Sequence, residues 1–173
     1  THYLQYSKAF LLHKELLDSL KIGAMKDDDV TIHTQVWAHL YLYDGQGKLK
    51  NQITQGAWHV EEIVSVDEAK RVVYFTANGK ESLTGGGKED PYYLHFYKIN
   101  LDGTGLQLLN AGNFDHSISL NDNNTYFVNN ASSVNTTPVS TLHSADGRKL
   151  MELETADLRS LFATGYKFPE TFK

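Results

Sequence analysis

A block made of a strand, an Asp/Gly turn and a second strand recurs along this chain, and it constrains the fold more than any other feature. The copies begin near residues 39, 95 and 139, and their turns end at Gly47, Gly103 and Gly147. Repeats of this kind are typical of propellers and other stacked β-architectures, in which each unit buries its apolar faces against its neighbours. The repeat therefore predicts the fold class before any single side chain is considered.

The length of the repeated region limits how many units it can hold. A four-stranded propeller blade takes about 40–50 residues, so residues 37–173 provide for about three blades. A closed propeller has about four to eight blades. We therefore predict a mainly all-β fold, a partial β-propeller of antiparallel four-stranded blades over residues 37–173, preceded by an unassigned region over residues 1–36.

Three stretches interrupt the β pattern. Apolar residues at spacings of three and four predict an amphipathic helix over residues 5–22, ahead of a strand over residues 30–37. A short C-terminal helix is predicted over residues 155–164, with Thr155 as its cap and Gly165 as its end. Residues 80–91 contain three consecutive glycines and a proline, a composition that predicts a mobile loop.

Composition excludes several classes of function. The net charge is −5 and Lys and Arg are not clustered, which argues against a nucleic-acid partner. The chain has no cysteine, so disulfides, thiolate nucleophiles and cysteine metal sites are excluded. No apolar run reaches the ~20 residues that a membrane-spanning helix needs. We expect neither a cofactor nor a membrane span.

The motifs of common catalytic sites are incomplete. No Gly-x-Ser-x-Gly occurs, and Ser65, Ser117 and Ser119 lie in strand-like stretches. The glycine-rich stretch resembles a phosphate loop, but Ser82 replaces its first glycine and Glu89 stands where Ser or Thr is needed. We therefore predict no catalytic residue and no metal ligand in this chain, and the sequence identifies no substrate-binding residue.

The histidines, acids and aromatic residues leave weaker alternatives. A folded β-array could bring His39, His59 and His95 together as a metal site, but partly exposed strand histidines are the favoured interpretation. Glu61 and Glu62 are neighbours on a predicted strand, so their carboxylates are expected to point to opposite faces. The many aromatic residues alternate along strands, which favours packing between sheets over the stacking of sugars or bases.

Taken together, the motifs of residues 37–173 resemble the N-terminal β-propeller of bacterial dipeptidyl peptidase IV-type serine peptidases, of the S9 family. The resemblance rests on several segments. They are Leu40–Asp44, Gln52–Trp58, Val73–Gly79, Asp90–Gly105, Asp115–Leu120, Pro138–Val139, Leu150–Glu154 and Ala163–Glu170.

This resemblance implies a two-part enzyme in which the propeller controls access to a cavity. A separate C-terminal α/β-hydrolase domain, which is the partner of this chain, would carry the Ser, Asp and His. The resemblance further implies that this chain forms the later blades of the propeller, which gate and orient peptide substrates. The chain alone is then expected to be inactive, and to lie in the periplasm or outside the cell. The family's acidic pair for the substrate amine is not transferred to Glu61 and Glu62, because their surroundings differ.

Two alternatives remain open at this point. One is a free-standing propeller-like module that binds protein, peptide or glycan. The other is a metal-dependent hydrolase that uses several histidines. The sequence also leaves the oligomeric state open, a homo-oligomer included.

Overall fold

The computed structural model describes residues 37–84 and 89–170 of the chain. Within them the strands and helices follow in this order. They are β1 (Tyr41–Tyr43), β2 (Leu49–Gln52), β3 (His59–Asp67), β4 (Val72–Asn78), α1 (Lys80–Thr84), β5 (His95–Asn100), β6 (Gln107–Leu108), β7 (Asp115–Leu120), β8 (Tyr126–Ser132), β9 (Val139–Ser144), β10 (Lys149–Thr155) and α2 (Arg159–Ala163).

The strands form three antiparallel sheets that follow one another along the chain. The first sheet is the pair β1–β2, the second has the order β3-β4-β5-β6, and the third has the order β7-β8-β9-β10. Every strand pairs with its neighbour in sequence, so each four-stranded sheet is a simple meander. This arrangement confirms the predicted partial propeller with four-stranded blades.

The space between the first and second sheets, here called the first seam, is filled by hydrocarbon and aromatic rings. Leu40, Leu42 and Ile53 from the first sheet pack against buried residues of the second. The ring of Trp58 stacks with those of Phe75 and Tyr97, with 6.2 Å and 6.3 Å between ring centroids, respectively. Burial of large side chains of this kind stabilises a fold by roughly 1.5–3 kcal/mol each. The aromatic residues at this seam therefore pack between sheets, as predicted.

The second seam lies between the second and third sheets and has a smaller apolar cluster. Its buried members are Tyr74, Phe96, Leu109 and Phe127. The rings of Phe96 and Phe127 meet edge to face with 5.0 Å between centroids. Successive side chains of a strand point to opposite faces of the sheet. Tyr74 and Phe75, which are adjacent on β4, therefore pack into opposite seams.

The repeated Asp/Gly turns fasten each sheet to the one before it. Gly103 and Gly147 have φ values of +87° and +92°, which favour glycine. A Cβ atom on Gly103 would lie 3.2 Å from the backbone oxygens of Gln52 and Ile53. A Cβ atom on Gly147 would lie 3.1 Å from the backbone of Leu109. The turns need glycine both for their φ and for close approach to the neighbouring sheet.

Two predicted elements differ from the structure. The C-terminal helix is confined to Arg159–Ala163, and Thr155 is not its cap. Thr155 pairs with Val139 in the sheet, and the ladder continues to Ala156, whose N–H donates to the Pro138 carbonyl. Gly165 ends the helix as predicted, since its φ is +87° and its N–H donates to the Phe162 carbonyl.

The predicted loop over residues 80–91 begins with the helix α1. The Ser82 hydroxyl donates to the Gly79 carbonyl at 2.7 Å, and Glu81 accepts from the Tyr97 hydroxyl at 2.8 Å, so contacts with the end of β4 and with β5 hold this turn in place. The glycines of this stretch, the predicted helix over residues 5–22 and the body of the strand predicted over residues 30–37 lie outside the described residues.

Candidate functional site

The connections that differ most between the repeats lie at one end of the strands, which forms one edge of the stacked sheets. The β2–β3, β4–β5, β6–β7 and β8–β9 connections all lie there, as does the segment that leaves β10. The tight Asp/Gly turns occupy the opposite edge. We call the first of these the exit edge, because the chain leaves the third sheet through it. Variable connections on a rigid sheet are where binding side chains are expected.

A depression of about 370 Å³ opens at the exit edge beside the second sheet. Trp37, Pro91 and Tyr92 supply most of its ring surface, and Asn78, Gly79, Ser82 and Ala57 complete the lining. Tyr92 is 83% exposed. Its position is set by the carboxylate of Asp90, which accepts a bond from the Tyr92 N–H at 2.9 Å. An exposed tyrosine that is held from its backbone suits contact with a second molecule or domain.

Two carboxylates anchor the β4–β5 connection to the buried start of β5. The Tyr97 hydroxyl donates to Glu81 Oε1 at 2.8 Å. Burial above all, and then the hydrogen bond to Glu81 and the charges of Glu81 and Glu89, raise the pKa of Tyr97 far above its ordinary value. Tyr97 therefore remains protonated and keeps its bond to Glu81.

Glu89 forms the second anchor. Its Oε2 lies 3.1 Å from Nε2 of His95, which is 2% exposed. The contact has the distance of an ion pair, yet its angles do not make a hydrogen bond, and neither ring nitrogen of His95 makes one in the described part of the chain. The ring of His116 is the next polar neighbour, with 5.1 Å between ring centroids.

The three histidines considered as a metal site each contact a different set of protein groups. His39 contacts the Thr54 hydroxyl through Nδ1 at 3.1 Å and the Gly56 carbonyl through Nε2 at 2.9 Å. Burial chiefly, and then the charge of His59, lower the pKa of His39, although the Gly56 carbonyl opposes them. His59 accepts from the Ala38 N–H and faces Glu61 at 3.6 Å, and His95 faces Glu89. Among residues 37–84 and 89–170 no three histidines or acids form a metal-binding group.

Partial exposure was predicted for the strand histidines, and this is wrong for three of them. His95 and His116 are 2% exposed and His143 is 8% exposed. Their positions face a seam that sequence alternation alone does not reveal. His143 is held by Thr141 at 2.9 Å and stacks on Phe127. When the repeats are aligned at their turn glycines, polar residues stand at positions where the preceding repeat has apolar ones. This alignment is the sequence signal that could have predicted these buried polar positions.

The acidic pair is a surface feature. Glu61 and Glu62 are both exposed, and the strand register shifts between Val60 and Glu62. A bulge of this kind interrupts strict alternation, which was the basis for placing the two carboxylates on opposite faces. Trp58, which precedes them, is 5% exposed and belongs to the first seam. The structure thus gives this pair no buried setting that would tune it for catalysis.

The serines considered as nucleophiles lie in strands, Ser65 in β3 and Ser117 and Ser119 in β7, as predicted. The described part of the chain contains no helix long and apolar enough to cross a membrane.

Comparison with known protein families and structures shows to which proteins this chain is related. A family model described as the dipeptidyl peptidase IV (DPP IV) N-terminal region matches residues 10–138. The chain belongs to this family. The match begins ahead of the predicted boundary at residue 37.

Curated relatives and solved structures agree with the family. Dipeptidyl peptidase 4 of the fungus Trichophyton equinum is 35% identical over 66 residues, which are 38% of this chain and 7% of the relative. The crystal structure of Porphyromonas gingivalis dipeptidyl peptidase 4 is 27% identical with a TM-score of 0.59, and the match covers 75% of this chain and 17% of that one.

A second crystal structure, of a putative dipeptidyl aminopeptidase IV from Bacteroides ovatus, is 19% identical with a TM-score of 0.55 and shows the same fold. That match covers 70% of this chain and 19% of the other. The chain therefore spans less than a fifth of the length of these relatives. Their family and fold apply to it directly, whereas the activity of a whole peptidase does not.

Proposed function

We propose that this chain is a non-catalytic propeller portion of a dipeptidyl peptidase IV-like serine exopeptidase. Its role is to gate and orient peptide substrates for a separate C-terminal α/β-hydrolase domain. The match of residues 10–138 to the N-terminal region of dipeptidyl peptidase IV carries the proposal. The relatives named dipeptidyl peptidase 4 support the reaction class, which is acyl transfer through a seryl intermediate.

The direction in which the chain leaves the sheets supports the place of the partner domain. After β10 the chain passes through α2 and the residues up to Glu170 at the exit edge. The rings of Phe162, Tyr166 and Phe168 pack on one another there, with 5.4 Å between the centroids of Phe162 and Phe168. A domain that follows the propeller would lie over this edge, and these rings suit its contact surface.

Two hydroxyl–imidazole contacts in residues 37–84 and 89–170 lack the third group of a catalytic triad, which fits a catalytic centre in another domain. Thr54 contacts His39, and Thr141 contacts His143. The second ring nitrogen of each histidine meets a backbone carbonyl, that of Gly56 or Gly147, at the place where a catalytic triad has a carboxylate. Neither pair has the group that would orient and charge-stabilise the imidazole in acyl transfer.

Substrate size tests the gating role in the intact protein that contains this chain. A Xaa-Pro chromogenic dipeptide should be cleaved, and a folded protein with an exposed N-terminal Xaa-Pro should be cleaved far more slowly, because the propeller restricts entry. Equal kcat/KM values for the two substrates would contradict gating.

A variant of the exit edge sharpens this test. Tyr92→Ala removes the most exposed aromatic side chain beside the depression, whereas Tyr126→Ala removes a tyrosine that is 50% exposed near the opposite edge. We expect Tyr92→Ala to change KM for peptide or the docking of the hydrolase domain, and Tyr126→Ala to change neither. Identical behaviour of the two variants would argue against a functional exit edge.

The proposal also includes a periplasmic or extracellular location, for which the family resemblance is the support. Immunodetection of the chain in periplasmic, secreted and cytosolic fractions of its source cells tests it. Detection in the cytosolic fraction alone would contradict it. The mass of the protein in solution, measured by light scattering, decides whether it forms a homo-oligomer.

A further inference from the structure

Phe114 at the second seam occupies the position that Trp58 occupies at the first. Each of these aromatic residues comes two positions after a glycine, Gly56 with a φ of +128° and Gly112 with a φ of +123°. In both places a Cβ atom on the glycine would clash with the aromatic ring, at 2.5 Å from Trp58 and at 2.9 Å from Phe114. The two connections therefore fold back in the same way, and each presents one ring to its seam.

The rings that complete the aromatic stack at the first seam have no counterparts at the second. At the first seam the stack is completed by Phe75 of β4 and Tyr97 of β5, which are paired across the sheet. When the repeats are aligned at their turn glycines, the corresponding pair on β8 and β9 is Asn129 and Thr141. Two smaller polar side chains thus replace two rings, and space is left beside Phe114.

A depression of about 350 Å³ lies where the two rings are missing. Phe114, Ala131 and Val139 give it apolar surface, and Asn129 and Thr141 form part of its wall. Sites for small molecules have volumes of about 300–1,000 Å³ and combine an apolar lining with a few placed polar groups. The depression is therefore large enough for one aromatic ring with a short substituent, and such a ring would restore the stack on Phe114.

A chain of hydrogen bonds leaves one amide donor of Asn129 available to a ligand. The Phe96 N–H donates to Asn110 Oδ1 at 2.8 Å, which fixes the orientation of the Asn110 amide. Asn110 Nδ2 donates to Asn129 Oδ1 at 3.1 Å, and Nδ1 of His116 lies 3.0 Å from the same oxygen. Asn129 Nδ2 donates to no group in the described part of the chain, although Asn129 is only 5% exposed. A buried donor of this kind calls for an acceptor.

The remaining polar lining suits an anion. Apart from two histidines, Lys149 is the only ionisable side chain that lines the depression, and Thr137 adds a hydroxyl. Both ring nitrogens of His116 and of His143 already have protein partners. The Lys149 ammonium lies 3.6 Å from Glu152 Oε2, and both side chains are about half exposed. An exposed pair of this kind is weak, so a ligand carboxylate can compete with Glu152 for Lys149.

We propose that this depression binds a small aromatic carboxylic acid. The ring of the ligand stacks on Phe114, in the space that Phe75 and Tyr97 fill one blade earlier. The carboxylate accepts a hydrogen bond from Asn129 Nδ2 and pairs with the Lys149 ammonium. The inference does not depend on the proposed peptidase function, because every group that it uses belongs to the second seam and the strands beside it.

Titration of the full chain with 3-phenylpropionate, followed by ¹H–¹⁵N NMR, tests the site. We expect saturable shifts in residues 111–116 and 129–143, with a Kd on the order of millimolar for a ligand of this size. Acetate lacks the ring and should bind at least about tenfold more weakly. 3-Phenylpropan-1-ol lacks the charge and should bind about two- to fivefold more weakly. No saturable shift in these residues, or equal affinity for the acid and the alcohol, would overturn the inference.

Charge variants identify the group that recognises the carboxylate. Lys149→Met keeps most of the stem and removes the charge, so 3-phenylpropionate should bind about two- to fivefold more weakly while the alcohol is unaffected. Glu152→Gln removes the competing carboxylate and should strengthen binding of the acid by a similar factor. Lys48→Met, on an exposed turn of the first sheet, is the control. Equal affinities of the Lys149→Met and Lys48→Met variants for the acid would contradict the assignment.

A variant that fills the depression tests the location of the ring. Thr141→Tyr introduces the side chain that Tyr97 provides at the first seam, and binding should become at least about tenfold weaker. Far-UV circular dichroism shows whether this variant is folded, and a folded variant that binds as tightly as the unaltered chain would refute the site. If it does not fold, the ligand series and Lys149→Met still decide the question.

Two sources offer the same chemistry, a free aromatic acid and the C-terminal residue of a peptide. The tripeptide Gly-Gly-Phe and its C-terminal amide separate them. Tighter binding of the tripeptide than of 3-phenylpropionate would assign a peptide end to the site, and weaker binding would assign a free acid. Binding of the amide as tightly as the tripeptide acid would overturn the inference, because the carboxylate would then contribute nothing.

Discussion

The contact of each Asp/Gly turn with the preceding sheet can be tested by replacing single glycines with alanine. Gly47, Gly103 and Gly147 have similar φ values of +81°, +87° and +92°. Each substitution therefore carries a similar backbone cost of about 1–2 kcal/mol. The added Cβ meets different surroundings in the three turns, and this difference isolates the contact between sheets.

On Gly103 and Gly147 the new methyl group meets backbone atoms at 3.2 Å and 3.1 Å, respectively. These backbone atoms cannot rotate away as the end of a side chain can, so the sheets must move apart, at a cost typical of overpacking, about 1–3 kcal/mol. On Gly47 nothing lies within 4 Å in the described residues, and this variant is the control. We expect Gly47→Ala to lower the free energy of unfolding by about 1–2 kcal/mol, and the other two by about 2–5 kcal/mol.

Urea denaturation followed by far-UV circular dichroism measures these differences directly. The Asn51 side chain donates to the Leu101 carbonyl at 3.0 Å, and Gln107 donates to the Asp146 carbonyl at 2.7 Å, so Gly103→Ala and Gly147→Ala should also loosen these bonds. Equal destabilisation by all three substitutions would refute the reasoning, because it would show that backbone conformation alone requires the glycines.

Three further predictions concern buried polar groups. Tyr97→Phe should lower the free energy of unfolding by about 1–2 kcal/mol in thermal denaturation, because it leaves Glu81 without the hydroxyl that donates to it at 2.8 Å; an unchanged midpoint would contradict that anchor. Asn110→Ala should cost about 2–4 kcal/mol in urea denaturation by leaving the Phe96 N–H and Asn129 Oδ1 short of a partner, whereas Asn123→Ala on the exposed turn should cost less than about 0.5 kcal/mol. The stability of the chain should fall as the pH decreases through about 6.5 toward 5.5, because the folded state lowers the pKa of His39 and His116 and the unfolded state therefore binds more protons; a urea midpoint that is constant or higher at pH 5.5 would refute this.

Local patterns predicted the strands and turns of the repeats because these depend on neighbouring residues. The Gly47 turn and the Asn121–Asn124 turn both form as expected, with Gly47 and Asn124 at positive φ. The strand β4 ends at Asn78, directly after its β-branched and aromatic run and before Gly79. Turn-forming residues and strand alternation depend on neighbouring residues alone, so both could be predicted from the sequence.

The predictions that failed depend on contacts between distant residues. Thr155 is a plausible helix cap by its position, but the bond from Ala156 to Pro138 extends β10 past it. His116 looks like an ordinary strand histidine, but Asn110 and Asn129, from a connection and another strand, enclose it. Tertiary packing overrides local preference at these places. The exit edge could not be predicted as a site either, because its members come from separate connections.

We propose that this chain shapes the entrance to a peptidase whose chemistry belongs to another domain. The most direct measurement is turnover of a Xaa-Pro chromogenic dipeptide by the isolated chain and by the intact protein, each with and without a serine-directed inhibitor. We expect inhibitor-sensitive turnover by the intact protein and none by the isolated chain. Inhibitor-sensitive turnover by the isolated chain, or its absence from the intact protein, would contradict it.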